Sequence, residues 1–287
     1  MHIRKAVITA AGLGTRLLPM SKELPKEMLP IFSAGKNGMT LKPLLQALFE
    51  QLCVCGLAEF CFIVGRGKRA IEDHFTPDYD FLAYLQTSGK PELHEEMKSF
   101  YERVEKSSII WINQPFPKGF GDAVLLAKDF VGDDDFLVAA GDTFVSSREN
   151  DLVKRLMQLH HSTDDSASLV VLEVEDPRKY GVVEVTDDSG HLKVVSAVEK
   201  PEAPRSNLAV VPLYVFKPMI FSELKAIRPG LHGELQLTDA IQRLIELGTN
   251  VHAVKLRQDE TRFDIGTPQT YWEAIRSSYE VAPDARF

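Results

Sequence analysis

The chain has 287 residues, 44% of them hydrophobic and 26% charged, an ordinary globular composition that excludes a collagenous, coiled-coil or disordered protein. Lysine and arginine number 33 against 41 aspartate and glutamate residues, so the formal net charge is −8. That charge argues against a polyanion-binding surface, and we expect no nucleic-acid partner. No apolar run reaches the roughly 18 residues that span a bilayer, so we expect no membrane partner either.

The three cysteines, Cys53, Cys55 and Cys61, indicate a reducing compartment, because an odd and low count is typical of chains without disulfides. Their C-x-C-x5-C spacing lacks the C-x2-C pair and the fourth ligand that zinc sites usually have. We therefore interpret them as core residues. The apolar run at 6–10 is short and ends in glycines, so we interpret it as a buried strand, not a signal peptide, and we expect a cytoplasmic protein.

Short β-rich apolar runs alternate with helix-like patterns through the first 172 residues. The predicted strands cover 6–10, 60–64, 109–112, 136–140 and 168–172, and the predicted helices cover 43–55, 122–130 and 151–161. This alternation predicts an α/β fold, with a mixed, mostly parallel sheet flanked by helices on both faces. Residues 80–107 are polar and helix-prone, which predicts a peripheral helical insertion.

After about residue 173 the pattern changes to strands without long helices between them, which predicts an antiparallel extension of the same sheet. The predicted strands are 180–185, 192–198, 209–216 and 252–256, and the predicted helices are 218–227, 236–247 and 268–279. D-D-S-G at 187–190 is typical of a hairpin turn. We find no linker or repeat, and we expect a single domain over 1–287, with a core at 1–172 and a second part at 173–287.

A glycine-rich loop, A-A-G-L-G-T-R-L at residues 10–17, follows the first strand. Glycines after a buried strand let the backbone approach a ligand and turn N–H groups toward phosphate, so Gly12 and Gly14 are candidate binding residues. Leu17 replaces the third glycine of the G-x-G-x-x-G dinucleotide fingerprint, which counts against a nicotinamide oxidoreductase.

Two basic residues accompany this loop. Arg16 lies at its end, and Lys26 lies between the prolines of P-K-E-M-L-P at 25–30, which fix the backbone beside the loop. Both side chains could converge on a triphosphate. The alternative is that both are solvated surface charges, as most lysines and arginines are.

Several motifs along the chain resemble one enzyme family. G-L-G-T-R at 12–16 and P-K-E-M-L-P at 25–30 resemble the signature of sugar-phosphate nucleotidylyltransferases, and K-E-M-L-P is similar to the bacterial-type UTP–glucose-1-phosphate uridylyltransferases. The resemblance continues through G-R-G-K-R-A-I-E-D-H-F at 65–75, E-K-P at 199–201, E-L-Q-L-T-D-A-I at 234–241 and D-I-G at 264–266. It implies a Rossmann-like nucleotide-binding core with a sugar-binding antiparallel extension. It also implies that UTP and glucose 1-phosphate are converted to UDP-glucose and pyrophosphate.

Two aspartates are candidate metal ligands. Asp142 comes just after the predicted strand 136–140, and the carboxyl end of a parallel strand lies at the ligand-binding edge of a sheet. Asp264 precedes Gly266 and a predicted helix. Two carboxylates completed by water and phosphate oxygens are a common Mg²⁺ site, whereas each aspartate by itself is also typical of a turn or helix cap. The resemblance places both at metal-binding positions and so implies Mg²⁺ as the cofactor.

The resemblance also assigns residues to the sugar phosphate. It implies that Lys200 contacts the phosphate, that Glu199 accepts hydrogen bonds from sugar hydroxyls and that Gly181 offers a backbone contact to the hexose. Without the resemblance, Glu199-Lys200 is a common kind of solvated surface pair. Arg16, Lys26 and Lys200 would then be the catalytic cations.

Other residues are candidates for contacts with the nucleotide. Gln114 ends the third strand, and its carboxamide offers the donor and the acceptor that match the O4 and N3–H edge of uracil or thymine. The alternative is a glutamine exposed in a loop. The resemblance implies that Gln114 reads the base, that Gly119 lies against it, and that Ala11 joins Gly12 and Gly14 in holding the nucleotide.

Two features leave alternatives open. Gly141-Asp142 resembles the thymidylyltransferase branch of the family, and Asp122 stands where the family pattern leads us to expect another residue, such as histidine. A glucose-1-phosphate thymidylyltransferase, or an enzyme using both UTP and dTTP, is therefore the nearest alternative. A non-catalytic sugar-nucleotide-binding regulator is a more distant one. We expect a homo-oligomer, either a dimer or a tetramer.

Overall fold

The main sheet of the protein combines strands from both halves of the chain. A computed structural model describes residues 3–35, 38–230 and 233–282. In chain order the strands are β1 (Lys5–Ala10), β2 (Pro30–Gly35), β3 (Gly38–Pro43), β4 (Glu59–Val64), β5 (Ser108–Asn113), β6 (Phe136–Ala140), β7 (Thr143–Ser146), β8 (Ala167–Glu173), β9 (Gly181–Asp188), β10 (His191–Glu199), β11 (Leu208–Phe216), β12 (Val251–Lys255) and β13 (Thr261–Asp264). The α-helices are α1 (Leu44–Val54), α2 (Arg69–His74), α3 (Tyr79–Thr87), α4 (Pro91–Glu105), α5 (Phe120–Leu126), α6 (Lys128–Val131), α7 (Asp151–Ser162), α8 (Ile220–Ala226), α9 (Leu237–Glu246) and α10 (Pro268–Val281).

Within the described ranges, nine strands form one sheet in the order β5-β4-β1-β6-β11-β8-β12-β10-β9, and β9 also meets β11. Seven of these nine strands run in one direction, and β10 and β11 run in the other. The predicted fold class, a mostly parallel Rossmann-like sheet flanked by helices with an antiparallel extension, is confirmed. The register Ala10↔Val64 and Thr9↔Ala140 brings the carboxyl ends of β4, β1 and β6 to one edge.

Both faces of the sheet are buried because successive side chains of each strand point to opposite faces. In β1, Ile8 packs into a core beneath α1, α4, α7 and α10, and Val7 packs into a second core beneath α5, α8 and α9. Strands covered on both faces are expected to be continuously apolar, as the predicted runs were. Among the described residues, no helix is long and apolar enough to cross a membrane.

Two local predictions are confirmed with small changes. The turn at 187–190 joins β9 to β10, with left-handed backbone at Ser189 (φ 54°) and Gly190 (φ 86°), as a tight hairpin needs. The polar insertion at 80–107 consists of α3 and α4.

Two strand pairs were missed by the sequence analysis. Strands β2 and β3 form an antiparallel hairpin beside the main sheet, and β7 pairs with β13. Strand β3 has no buried residue and no clear alternation, and β7 and β13 are only four residues each. Regular alternation of apolar and polar residues, the main sequence signal for a strand, is therefore weak or absent in these three strands.

Candidate active site

The candidate site is a cleft at the edge of the sheet where the parallel strands end. Two cavities that share residues occupy it, one of about 850 Å³ and one of about 380 Å³. The larger is lined by Arg16, Gly181, Glu199, Lys200 and Asp264, the smaller by Ala11, Gln114 and Gly119, and both by Gly12, Gly14, Lys26 and Asp142. The fold thus brings all the residues predicted from the sequence to one continuous cleft.

Lys26 and Asp142 lie at the boundary between the two cavities. Lys26 projects from a 3₁₀ turn, Lys26–Met28, and its Nζ donates a short hydrogen bond to Oδ2 of Asp142. Burial lowers the pKa of Lys26, but the Asp142 carboxylate offsets this, so the pKa lies above its ordinary value. The lysine is therefore a fixed positive charge in the middle of the cleft.

The second aspartate reaches the same place through the β7–β13 pair. The ladder aligns Asp264 with Thr143, and the backbone N–H of Ile265 donates to the Asp142 carbonyl oxygen over 3.0 Å. This pairing brings together two aspartates that are far apart in the chain. Burial raises the pKa of Asp264, and the neighbouring Asp142 carboxylate raises it further, although Arg262 acts in the opposite direction.

Two partly buried carboxylates, of which Asp142 raises the pKa of Asp264, form a donor set suited to a hard divalent cation. Within the described ranges no cluster of three or more histidine, cysteine, aspartate or glutamate side chains has metal-binding geometry. Asp142 and Asp264 would therefore be the protein's contribution to such an ion, and water and substrate oxygens would complete its shell.

In the part of the cleft where the sequence predicts the sugar, the β9–β10 ladder pairs Glu199 with Gly181. A Cβ on Gly181 would lie 2.9 Å from Thr238 Oγ1 and 3.1 Å from Glu199 Oε2, so a larger residue would displace these side chains. Thr238 Oγ1 donates to Glu199 Oε2 over 2.7 Å and so fixes that carboxylate. Lys200 follows with left-handed backbone (φ 42°), and its Nζ lies 3.4 Å from Glu199 Oε1.

In the smaller cavity, where the sequence predicts the base, Gln114 is 6% exposed and follows the end of β5. Gly119 has a φ of 104°, and a Cβ there would lie 2.7 Å from the carbonyl oxygen of Leu235. Backbone hydrogen bonds of 2.8 Å join Leu235 to Lys118 and Gly121, so a segment from the second half of the chain packs against the loop that carries Gly119.

Sequence reasoning missed several residues of this site. Arg262 pairs with Asp264 over 3.0 Å and stacks over the Tyr180 ring at 5.3 Å, and it lines the larger cavity. Glu27 forms a buried 2.7 Å ion pair with Lys68, and burial raises the pKa of Glu27 although Lys68 lowers it. Arg262 lies two residues before Asp264, and Glu27 and Lys68 lie within motifs already noted, but the sequence held no sign of their partners.

Known proteins of one family resemble the chain over nearly its whole length. Residues 5–280 match the nucleotidyl transferase family model, and the chain belongs to that family. It is 39% identical to the UTP–glucose-1-phosphate uridylyltransferase of Bacillus subtilis, over 92% of this chain and 87% of that protein. It is 39% identical to the enzyme of the same name from Mycoplasma pneumoniae, over 95% and 91%. A crystal structure of a UDP-glucose pyrophosphorylase complexed with UDP-glucose superimposes with a TM-score of 0.82 at 31% identity, over 97% of this chain and 99% of that one.

Proposed function

We propose that the protein transfers the UMP group of UTP to glucose 1-phosphate, giving UDP-glucose and pyrophosphate. The observation that carries the proposal is the cleft, in which Lys26 lines both cavities while Arg16 and Lys200 line the larger one. The full-length similarity to UTP–glucose-1-phosphate uridylyltransferases supports the same substrates.

The reaction needs charge neutralisation more than acid–base chemistry. A phosphate oxygen of glucose 1-phosphate attacks the α-phosphorus of UTP in line, and the bond from that phosphorus to the pyrophosphate oxygen breaks. Both reactants are anions, so cations held in advance at the reacting phosphates lower the barrier. Arg16 and Lys26 would bind the triphosphate, and Lys200 would bind the sugar phosphate.

Enzymes of this family generally use a divalent metal. We propose Mg²⁺, which Asp142 and Asp264 would hold, and which when bound would offset phosphate charge. Lys26 already contacts Asp142, so its ammonium lies where it can contribute positive charge beside the phosphates.

The remaining predicted residues would position the substrates. Gln114 and Gly119 would hold uracil, and the loop at Ala11, Gly12 and Gly14 would lie along the phosphates. Gly181 and Glu199 would hold the hexose, with the Glu199 carboxylate already oriented by Thr238.

Two wider properties complete the proposal. Cys53, Cys55 and Cys61 are free thiols, which supports a reducing compartment, and we propose the cytoplasm. We also propose a dimer or tetramer, which light scattering on the purified protein would test.

A pyrophosphate-release assay tests the proposed reaction across UTP, dTTP, CTP, ATP and GTP with several sugar 1-phosphates. The expected result is the highest kcat/KM with UTP and glucose 1-phosphate. Higher kcat/KM with dTTP would favour the thymidylyltransferase alternative. Absence of pyrophosphate with every pair, together with tight UDP-glucose binding, would favour the regulator.

A further inference from the structure

The carboxamide of Gln114 is held in one orientation by the residues around it. Its Nε2 donates to Oδ2 of Asp122 over 2.7 Å and to the carbonyl oxygen of Gly119 over 3.3 Å. Gln114 is nearly buried, and it lines the 380 Å³ cavity. Its position, at the end of β5 and against the first turn of α5, makes it part of the wall of that cavity.

The chemistry of the two partners decides which end of the carboxamide faces them. A carboxylate and a carbonyl oxygen can only accept hydrogen bonds, so the NH₂ end must face Asp122 and Gly119. The Oε1 end is left for a donor, and among the described residues none donates a hydrogen bond to it. A reversed carboxamide would place Oε1 against the Asp122 carboxylate, and two acceptors would then repel each other.

We propose that Asp122 is a positioning residue that sets base selection by preventing the Gln114 carboxamide from reversing. The inference rests on the proposed function, because it takes Gln114 to be the base reader. Uracil carries a hydrogen on N3 that can be donated to Oε1 of Gln114. Cytosine has a bare lone pair at N3, so pairing with it requires the NH₂ end, and therefore the reversed orientation that Asp122 disfavours.

The decisive variant is Asp122→Asn, which keeps the shape of the side chain. Asparagine can donate or accept, so it removes the shorter of the two contacts that oppose reversal and leaves only the 3.3 Å contact with the Gly119 carbonyl oxygen. A hydrogen bond to a charged group is typically strong enough to bias such a choice by about tenfold to a hundredfold. We expect the ratio of kcat/KM for UTP to that for CTP to fall by that factor, mainly through faster turnover of CTP.

Two further variants make the result specific. Asp122→Glu keeps a group that can only accept and should preserve most of the discrimination. Asp129→Asn makes the same charge change at an exposed site on α6, and should leave the ratio unchanged. The ratio is measured on a single preparation, so a fall in the folded fraction of a variant cancels from it.

An unchanged ratio in Asp122→Asn, or CTP turnover that stays undetectable while UTP turnover persists, would overturn the inference. If Asp122 had a merely structural role, the variant would lower kcat/KM for both nucleotides equally, and the ratio would stay unchanged. If the unmodified protein released no pyrophosphate from UTP, the proposed function itself would fail, which is a different result.

Discussion

At the scale of single residues, Lys200 illustrates how the backbone places a charge in the cleft. It has a φ of 42°, a conformation that non-glycine residues seldom adopt, and its N–H donates to the Tyr180 carbonyl oxygen over 3.0 Å. That turn sends the chain away from β10, and Lys200 lines the larger cavity. The side chain is a third exposed, so its charge is accessible to a ligand.

We predict that Lys200→Ala raises KM for glucose 1-phosphate and lowers kcat, while the dissociation constant for UTP changes little. The reason is that Lys200 lies beside Glu199, in the part of the cleft that we propose binds the sugar phosphate. Steady-state kinetics and calorimetry with UTP measure the two effects separately. Lys193→Ala, near the opposite end of β10, is the control, and a collapse of UTP affinity in Lys200→Ala would reverse the assignment.

The paired aspartates give a second prediction. Asp142→Asn and Asp264→Asn should each lower kcat by at least about 100-fold, or roughly 2.7 kcal/mol, because each removes a charge that would hold the metal. The double variant should lose less than the sum, since the two act as a unit. Mg²⁺ titrations of activity measure this, with the exposed Asp133→Asn as the control. Wild-type Mg²⁺ dependence in either variant would remove that aspartate from the site.

The cysteines give a third prediction, which concerns how thiol labelling and stability depend on pH. Burial raises the pKa of Cys53 and of Cys55 to about 11 and that of Cys61 to about 12. At pH 8 roughly a thousandth of Cys53 and Cys55 and roughly a ten-thousandth of Cys61 would be ionised. A disulfide reagent should therefore label the native protein slowly and label three thiols once it is unfolded.

The raised pKa values also determine how the stability of the fold changes with pH. The folded state holds these protons more tightly than the unfolded state, so their contribution is present below pH 9 and is lost as pH rises toward 11 and 12. Rapid labelling of the native protein at pH 8 would contradict the burial of these thiols.

At the scale of elements, the site depends on contacts between segments that are distant in sequence. Glu27, in the 3₁₀ turn that carries Lys26, pairs with Lys68, just before α2. The side chains are only 2% and 8% exposed, so neither charge can be solvated if its partner is removed. This pair holds the Lys26 turn against the end of β4.

We predict that Glu27→Gln and Lys68→Met each lower the free energy of unfolding by about 3–5 kcal/mol, because each leaves one buried charge unpaired. The double variant should recover much of that loss, since no unpaired charge remains. Denaturant unfolding of all four proteins measures the coupling.

The neighbouring exposed pair Arg69–Asp73 serves as the control for that cycle. Its atoms are 4.0 Å apart and its side chains are mostly exposed, so Asp73→Asn should cost less than about 1 kcal/mol. Additive losses at Glu27 and Lys68 would show that the two charges are not coupled.

At the scale of the whole molecule, β11 connects the two parts of the chain. It comes from the second part but lies between β6 and β8 of the first, pairing Tyr214 with Val138 and Val215 with Ser168. A fragment ending at residue 172 would leave both neighbouring strands without their partner.

We therefore predict one cooperative unfolding transition for the full chain and no stable fold for the 1–172 fragment. Calorimetry of the full chain should give equal calorimetric and van't Hoff enthalpies, and circular dichroism of the fragment should show no cooperative melt. Two resolved transitions, or a folded fragment, would instead show that 1–172 and 173–287 are separate domains.

The sequence by itself determined the elements of the main sheet and the predicted residues that meet in the cleft, but not Arg262 or Glu27. Runs such as Phe136–Ala140 are buried on both faces, so their apolar composition marks them directly. The glycine loop, Asp142 and Gln114 were found because polar residues and glycines that end buried strands are conspicuous. Their proposed roles came from the resemblance and remain to be measured.

Only the tertiary structure decided which residues oppose one another. The β7–β13 ladder that brings Asp264 to Asp142, the Glu27–Lys68 pair and the Asp122 contact with Gln114 left no periodic signal in the chain. The sequence likewise held no signal for the position of β11 within the sheet. The spacing of apolar residues shows which face of each segment is buried, one segment at a time. A contact between distant segments depends instead on how every intervening element packs.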